Sequence, residues 1–364
     1  MRSRVERYMR QALDLARKGQ GHTHPNPCVG AVVVKGGKVV GAGFHEKAGA
    51  AHAEIAALRQ ARHRARGADL YCTLEPCAHW GRTGPCTKAI LAAGIRRVFV
   101  GMKDPHPLVS GKGIRELRRA GVGVKVGFLE KELAALNRPF LFAARHGRPM
   151  VTAKIAMSFD GKTATRCGAS RWITDAASRS HAHRGRWPFD AIVVGIGTVL
   201  SDDPRLEAVP KKSGLLKVVV DSRGRMPFSV CLLKTSGRVI VATASMTRER
   251  EAAWRRRGVT VLRCPGQDRR VDVGCLLRVL HGLEIRHVLV EGGATLVGSF
   301  FDRQLVDRVA WYLAPKVIGG LQALPAVAGK GIGRLADAPQ LKNISWQRVK
   351  SDFFVSADVV YPVR

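Results

Sequence analysis

The chain has 364 residues, 46% of them hydrophobic and 6% aromatic, which is enough for two ordinary domains with separate cores. No run approaches the roughly 18 to 20 apolar residues of a membrane helix, and the charged, amphipathic start is not typical of a signal peptide. The formal net charge of +33 is compatible with a polyanion surface, but the arginines form short groups without interleaved aromatic residues. The eight scattered cysteines show no disulfide framework, so we expect a cytoplasmic protein with reduced thiols.

The first part of the chain alternates helical and strand-like segments. After an amphipathic helix, VGAVVVKGGKVVGAGF predicts two strands joined by residues 35–38, and a helix follows from His52. Further strands are predicted at 69–73, 98–102 and 122–126, with helices at about 85–93 and from near Glu130. This order predicts a three-layer α/β domain.

A second pattern begins after a basic linker that Gly and Pro flank near Gly147. Its apolar strands are predicted at 191–195, 216–221, 239–242, 259–262 and 287–290. The two parts show no evident repeat of each other and no low-complexity tract. We therefore predict two different α/β domains, at 1–146 and 147–364.

A metal site is indicated by AHAEIAAL and, after an intervening strand, LEPCAHWGRTGPC. His52, Cys77 and Cys86 supply three zinc ligands, and a set of three leaves a coordination position open for water. Glu54 is too close to His52 for a comfortable co-ligand but is well placed to carry a proton from that water to a leaving amine. H-x-E followed by P-C and a second cysteine is the signature of zinc deaminases.

Two neighbouring features bear on this site. The helices that begin at His52 and after Pro85 would direct free N–H groups towards the metal and its thiolates. His79, between the two cysteines, competes as a ligand by residue type, but we expect it to bind substrate. The alternative, in which these side chains are ordinary core or loop residues, is disfavoured by the order in which the motifs occur.

Two glycine motifs in the second part indicate phosphate binding only weakly. VLVEGGATLVGSF is a strand that ends in Glu291, followed by two glycines and a helix, but paired glycines at a strand end are more often a plain turn. GIGTVLSDDP follows another apolar strand and lacks the full dinucleotide fingerprint. Neither motif identifies a cofactor by itself.

The zinc motif and its neighbours closely resemble the bifunctional riboflavin-biosynthesis deaminase/reductase family. The first part shows THPNPCVGAVVV, HAE, LEPCAHWGRTGPC and DPHPLVSGKG, and the second shows KIAMSFDGKTA, GASRWIT, DAIVVGIGTVLSDDPRL, VVVDSRGRMP and VLVEGGATLVGSF. The resemblance covers essentially the whole chain. It implies a cytidine-deaminase-like domain that binds one Zn²⁺, followed by a dihydrofolate-reductase-like domain that uses NADPH.

The resemblance also implies site residues and a substrate. The first domain would deaminate a diaminopyrimidinone that carries a phosphoribosylamino group, and the second would reduce the ribosyl chain to ribityl. Asn26 and His79 would bind substrate in the first domain, and in the second the substrate residues would be Ser170, Arg186, Leu206 and Glu291. The NADPH contacts would be Ala156, Trp172, Thr198, Asp202, Ser222, Gly293, Ala294, Thr295, Leu296, Val297, Gly298 and Ser299.

Chemistry supports the role of Arg186 and suggests one for Lys154, and two departures from the family qualify the rest. The Arg186 guanidinium suits a phosphate, and Lys154 would donate a hydrogen bond to a developing alkoxide or amine during hydride transfer. Trp80 stands where the family usually has a second histidine. Val209 stands where the family has an arginine that helps bind the substrate phosphate, a contact that Arg205, Lys211 or Lys212 would have to replace.

Two alternatives stay open at this point. A deaminase with an impaired reductase domain would explain Val209, and a nucleic-acid-editing or nucleic-acid-binding protein would explain the charge. The second leaves the cofactor-like motifs of the second domain without a role. We therefore expect a small phosphorylated pyrimidine as partner, with no membrane and no nucleic acid, and a homo-oligomer is compatible with these features.

Overall fold

The structure, a computed structural model, describes residues 2–80, 84–105, 110–212 and 214–362, without the side chains of residues 2 and 3. The chain divides into two compact units, Met1–Gly147 and Arg148–Arg364, one residue from the boundary expected from the sequence. Across the described ranges, no helix combines the length and the apolar character that a bilayer crossing requires.

The first unit contains six helices and five strands within the described residues. The helices are α1 (Arg2–Lys18), α2 (Ala53–Ala61), α3 (Cys86–Ala92), α4 (Lys112–Arg119), α5 (Glu130–Leu136) and α6 (Arg138–His146). The strands are β1 (Gly30–Lys35), β2 (Lys38–Phe44), β3 (Asp69–Leu74), β4 (Arg97–Met102) and β5 (Gly123–Val126). They form one sheet in the order β2-β1-β3-β4-β5.

This sheet is covered by helices on both faces. Because successive residues of a strand point to opposite faces, Val32 and Val34 pack with α1, whereas Ala31 and Val33 pack with α2, α3 and α4. The result is the three-layer α/β domain predicted from the sequence. The central strands carry apolar residues on both faces because both faces are buried.

The β1–β2 hairpin sets the position of α2. Its turn is Gly36-Gly37, with φ of +55° and +79°, the left-handed conformation that a tight two-residue turn requires. A Cβ placed on Gly43 would lie 2.6 Å from the Cβ of Ala56, so the glycine allows α2 to pack directly against β2. His52, the N-cap of α2, is therefore held close to the sheet.

The second unit contains five helices and nine strands within its described residues. The helices are α7 (Ala176–Gly185), α8 (Ile196–Asp202), α9 (Arg248–Arg256), α10 (Val273–Gly282) and α11 (Ala294–Asp302). The strands are β6 (Met150–Ser158), β7 (Ala191–Gly195), β8 (Leu216–Val220), β9 (Val239–Thr243), β10 (Thr260–Arg263), β11 (His287–Glu291), β12 (Arg308–Ala314), β13 (Gln340–Val349) and β14 (Asp352–Val360).

These strands form a single nine-stranded sheet in the order β10-β9-β8-β7-β11-β6-β12-β14-β13. The strands from β10 to β12 in this order run parallel, and β14 is antiparallel to both β12 and β13. The carboxyl ends of the parallel strands therefore meet at one edge, where α/β sheets bind their ligands. Separate apolar clusters bury the sheet on its two sides.

Two parts of this fold differ from the sequence-based expectation. The helix expected from Glu130 breaks at Asn137, and a second helix, α6, finishes the first unit. The strands β12, β13 and β14 were not predicted. Almost every residue of β13 is exposed, so the strand lacks the apolar alternation by which a half-buried strand is recognised.

Candidate active sites

The three predicted zinc ligands converge in the first unit. His52 caps α2, Cys77 lies in the loop after β3, and Cys86 is the first residue of α3. The Nδ1 atom of His52 lies 3.2 Å from the Cys86 sulfur and 3.6 Å from the Cys77 sulfur, and the three ligand atoms lie within 4.8 Å of one another. Zinc bonds of about 2.0 to 2.3 Å in tetrahedral geometry separate neighbouring ligands by about 3.6 Å, so this triangle fits zinc.

The thiol chemistry of the triangle favours a cation. The backbone N–H of Cys86, at the N-terminus of α3, donates to the Cys77 sulfur at 3.4 Å, as expected from the sequence. Hydrogen bonding from the Cys86 thiol lowers the pKa of Cys77, and hydrogen bonding to Cys77 raises the pKa of His52. A cysteine binds a metal ion as its thiolate, and the lowered pKa of Cys77 shows that the site stabilises a thiolate there.

Glu54 is the buried acid of this site, with 4% of its surface exposed. Burial raises its pKa to about 7, although the nearby charge of His52 opposes the shift, and a hydrogen bond with Cys86 places the carboxyl group at the triangle. A carboxyl group with a pKa near neutral pH both accepts and returns a proton. This position and pKa suit the predicted proton shuttle.

A histidine that sequence reasoning missed connects the predicted substrate residue to the metal triangle. The Asn26 amide donates to Nε2 of His45 at 3.0 Å, and Nδ1 of His45 contacts the Ala51 carbonyl oxygen at 3.1 Å. The His45 ring meets the His52 ring edge-on, with centroids 5.6 Å apart. The position of His45 immediately after β2 was the only sequence signal for a role at this site. It was a weak signal, because a lone buried histidine is more often structural.

Two buried polar side chains fix the loops beside the triangle. Asn137 pairs with both backbone groups of Cys28: its Oδ1 accepts from the N–H at 2.8 Å and its Nδ2 donates to the carbonyl oxygen at 3.0 Å. The Glu75 carboxylate accepts from the N–H groups of Gly111, Ile114 and Asp104 at 2.9, 3.2 and 3.3 Å. These contacts hold the segments before β1 and around the start of α4.

His79 and Trp80 are exposed, Trp80 at 82% of its surface. The structure does not bring either side chain into the His52–Cys77–Cys86 triangle. Residues 81–83 and 106–109, which belong to the GRTGPC and DPHP motifs, lie outside the described residues. The substrate role of His79 stays a prediction.

The second unit gathers three predicted residues into one buried charged cluster. Lys154 on β6 pairs in register with Glu291 on β11, so their side chains share one face of the sheet. Arg186 forms a bidentate ion pair with the Glu291 carboxylate, with N···O distances of 2.8 and 2.7 Å. It also donates to the Glu207 carbonyl oxygen at 2.7 Å. Lys154 is thus partly buried within the sheet rather than a solvent-exposed residue at its end.

This cluster shifts the pKa values of its members. Burial alone would raise the pKa of Glu291, but the charges of Arg186 and Lys154 outweigh it and lower the pKa to about 2. Burial lowers the pKa of Lys154, while the charge of Glu291 opposes that shift. The outcome is a fixed carboxylate beside an ammonium group that loses its proton more easily than an exposed lysine.

The backbone next to Glu291 forms a cradle that fits a cofactor phosphate. Gly292 and Gly293 have φ of +72° and +74°, and Gly293 caps the nine-residue helix α11. A Cβ on Gly292 would lie 3.1 Å from Oγ1 of Thr198, so only glycine leaves this space open. A helix N-terminus, a hydroxyl group and closely approaching backbone are what an anionic phosphate requires.

The other predicted NADPH contacts lie along the same sheet edge or in the loop beyond β6. Ala156 lies in β6, and Ser222 follows β8 with its Oγ accepting from the Val271 N–H at 3.1 Å. Asp202, at the end of α8, pairs with Arg171 at 3.2 Å. Trp172 is 61% exposed, with the Arg179 guanidinium 4.1 Å from its ring centroid.

The remaining substrate residues and the expected replacement cations are placed as follows. Leu206 is buried and Ser170 is exposed. The Lys212 ammonium donates to the carbonyl oxygens of Trp187 and Phe189 at 2.9 and 2.7 Å, and burial lowers its pKa. Two of the three N–H donors of Lys212 are thus committed to carbonyl groups, which makes it a poorer replacement for the arginine missing at Val209 than an exposed cation.

The His52–Cys77–Cys86 triangle with its buried glutamate fits a zinc-dependent deaminase, and the buried lysine cluster beside Gly292 and Gly293 fits a reductase that binds a phosphate-bearing cofactor. The comparisons with known proteins show that the chain is a bifunctional deaminase and reductase. Residues 2–102 match the cytidine and deoxycytidylate deaminase zinc-binding region, and residues 149–355 match the RibD C-terminal domain. The chain belongs to the RibD family of riboflavin biosynthesis proteins.

Curated relatives support this assignment over nearly the whole chain. The riboflavin biosynthesis protein RibD of Actinobacillus pleuropneumoniae is 41% identical, with 98% of this chain and 96% of the relative covered. That of Aquifex aeolicus is 45% identical, with 86% and 87% covered.

Solved structures agree with the sequence relatives. Acinetobacter baumannii RibD has a TM-score of 0.89 at 35% identity, with 99% of both chains covered. The Thermotoga maritima diaminohydroxyphosphoribosylaminopyrimidine deaminase/5-amino-6-(5-phosphoribosylamino)uracil reductase has a TM-score of 0.84 at 34% identity, with 98% and 99% covered. The predicted cytidine-deaminase-like and dihydrofolate-reductase-like folds, and the zinc and NADPH cofactors, are confirmed.

Proposed function

We propose that this chain deaminates 2,5-diamino-6-(5-phosphoribosylamino)pyrimidin-4-one and then reduces the ribosyl chain to give 5-amino-6-(5-phosphoribitylamino)uracil. The observation that carries the first step is the buried Glu54 carboxyl group beside the His52–Cys77–Cys86 triangle. The Lys154–Glu291–Arg186 cluster beside the glycine cradle supports the second step.

In the first step His52, Cys77 and Cys86 hold the metal. Zinc, when bound, lowers the pKa of a coordinated water towards neutrality. Glu54 would accept a proton at its buried carboxylate and return it to the leaving amine, and its raised pKa suits both transfers. Asn26, oriented by His45, hydrogen-bonds the pyrimidine, and His79 contacts substrate from the loop between the cysteines.

In the second step NADPH, when bound, would supply the hydride that reduces the opened ribosyl chain. The backbone of Gly292 and Gly293 and the stretch from Gly293 to Ser299 would hold its phosphates. Further contacts would come from Ala156, Trp172, Thr198, Asp202 and Ser222. Lys154 donates a hydrogen bond to the oxygen or nitrogen on which negative charge develops. Glu291 holds Arg186 in place for the substrate, while Ser170 and Leu206 complete the substrate site.

The substrate phosphate needs a cation where the chain has Val209. With Lys212 bound to two carbonyl groups, the exposed Arg205 and Lys211 are the cations that take this role. An unreplaced charge-assisted hydrogen bond, at about 1.5 to 3 kcal/mol, would weaken substrate binding by one to two orders of magnitude. An Arg205→Ala or Lys211→Ala variant with a raised KM for the deaminated intermediate would identify the replacement.

A small phosphorylated pyrimidine, and no nucleic acid, is the partner in this proposal, since the cradle and the lysine cluster need a cofactor and a reducible substrate. A cytoplasmic location belongs to the same proposal, because all eight cysteines are thiols and two serve as metal ligands. A homo-oligomer is compatible with it.

The test is to incubate the zinc-loaded protein with the diaminopyrimidinone, with and without NADPH, and to analyse the products by mass spectrometry. Without NADPH only the deaminated intermediate is expected, and with NADPH the ribityl product. Retention of RNA in a gel shift at physiological ionic strength, with no turnover of the pyrimidine, would refute the proposal.

A further inference from the structure

Beneath α7, a row of side chains crosses one face of the second sheet. Register pairs Glu291 with Lys154, and it pairs Tyr312 on β12 with Ala156, two residues further along β6. Because residues two apart in a strand share a face, Tyr312 lies on the same side as Lys154. Phe354 on β14 is opposite Tyr312, and Gln347 on β13 is opposite Phe354.

The Tyr312 ring lies beside the Lys154 ammonium group. The Lys154 Nζ atom lies 5.7 Å from the ring centroid, and only 3% of Tyr312 is exposed. The other ionisable groups that face the ammonium are Glu291 on β11, together with His183 and Arg186 of the α7 segment. Tyr312 carries no formal charge, but its ring face carries the partial negative charge that attracts a cation.

His181 on α7 holds that ring in position. Its Nδ1 lies 2.8 Å from the Tyr312 hydroxyl oxygen and its Nε2 lies 3.1 Å from the Gln347 amide nitrogen. A neutral imidazole with its proton on Nδ1 satisfies both contacts, since it donates to the tyrosine and accepts from the amide. The Phe354 ring packs against both, with centroids 4.8 Å from Tyr312 and 5.0 Å from His181.

We propose that Tyr312, packed against Phe354 and in contact with His181, is a positioning residue of the reductase step, whose ring face keeps the Lys154 ammonium charged and directed at the substrate. The inference rests on the proposed role of Lys154 in hydride transfer. Tyr312 itself is too deeply buried to touch substrate or NADPH, so it acts through Lys154.

The proposal separates an electrostatic role from mere packing. The alkaline limb of the reductase pH profile reports loss of the Lys154 proton. Burial and Arg186 favour the neutral amine, and Glu291 opposes them. In this proposal the Tyr312 ring, 5.7 Å from the ammonium, opposes them as well. Loss of the ring charge should move that limb down by about half a unit to one unit, and lower kcat about three- to tenfold above it, with the KM for NADPH unchanged.

The experiment compares Tyr312→Phe with the same chain carrying pentafluorophenylalanine at position 312. The two rings have nearly the same shape, but fluorination withdraws the negative charge from the ring face. Tyr312→Phe loses the hydroxyl contact with His181 but keeps the ring face and its packing against Phe354, so it should keep the alkaline limb of the wild type. The fluorinated ring should lower that limb. Tyr361→Leu is the matched control, because the Tyr361 hydroxyl accepts from the Val306 N–H and belongs to none of the contacts of Lys154.

Identical pH profiles for the two rings overturn the inference. Tyr312→Met, which removes the ring and with it the negative ring face, gives a second measurement if the fluorinated chain does not fold, with the alkaline limb again expected to fall. Lys154→Met tests the underlying assumption separately: full NADPH oxidation by that variant would refute the role of Lys154, whereas an inactive Lys154→Met together with unshifted position-312 variants refutes the inference alone.

Discussion

The buried Arg186–Glu291 pair should make a large and pH-dependent contribution to the stability of the reductase unit. The side chains are only 11% and 9% exposed, and two short hydrogen bonds join them. The fall in the Glu291 pKa from its ordinary 4.5 to about 2 corresponds to about 3 kcal/mol, at about 1.4 kcal/mol per unit. Glu291→Gln should therefore lower the free energy of unfolding by about 3 kcal/mol at pH 7, since Arg186 is left buried without a counter-charge.

The sign of the pH dependence follows from the lowered pKa. A carboxyl group with a lower pKa in the folded state contributes its full stability above pH 4.5, and that stability is lost as the pH falls towards 2. The difference between wild type and Glu291→Gln should therefore be constant from pH 8 to 5. It should then shrink by about 1.4 kcal/mol for each further unit of acidification.

Urea unfolding followed by tryptophan fluorescence measures this effect. Five of the six tryptophans lie in the second unit, so the signal reports that unit: Trp172, Trp187, Trp254, Trp311 and Trp346. Glu251→Gln is the matched control, because Glu251 pairs with two largely exposed arginines and should contribute less than about 1 kcal/mol. Equal losses in both variants at pH 7, or a difference that changes between pH 8 and 5, would refute the reasoning.

Three further predictions concern the two sites. Gly292→Ala forces a side chain into a left-handed backbone beside Thr198, so the KM for NADPH should rise about tenfold; Gly282→Ala, with open space and no positive φ, should leave it unchanged. Asn137→Ala leaves both backbone groups of Cys28 unpaired, so urea unfolding of the first unit should show a loss of about 2 kcal/mol and the deaminase KM should rise. Removal of zinc with a chelator should stop deamination but not NADPH oxidation with the deaminated intermediate; loss of both steps would contradict independent sites.

The zinc site was predictable because its signal is local. His52 and Glu54 are two residues apart on one helix start, and Cys77 and Cys86 frame a single loop, so residue type and spacing were enough. The same holds for the Gly36-Gly37 turn, where the two glycines predicted the hairpin that the structure shows.

Contacts between distant residues could not be read from the sequence. Asn137 reaches Cys28 across 109 positions, and Arg186 reaches Glu291 across 105, and no periodicity links such pairs. Lys154 was predicted as a hydrogen-bond donor in hydride transfer, but its burial could not be predicted, because that burial depends on β11 and β12 lying on either side of β6. Lys212 was suggested as a phosphate ligand because it is a cation close to Val209 in the sequence. Its contacts with two carbonyl groups leave no sequence pattern and could not be predicted.

The central claim is that one chain performs two successive steps at two separate sites, and two variants test it together. Glu54→Gln should oxidise NADPH only when given the deaminated intermediate, and Lys154→Met should accumulate that intermediate from the diaminopyrimidinone. A mixture of the two purified variants, supplied with the diaminopyrimidinone and NADPH, is expected to form the ribityl product that neither forms alone. If the mixture forms no ribityl product while the wild-type chain does, the account is contradicted.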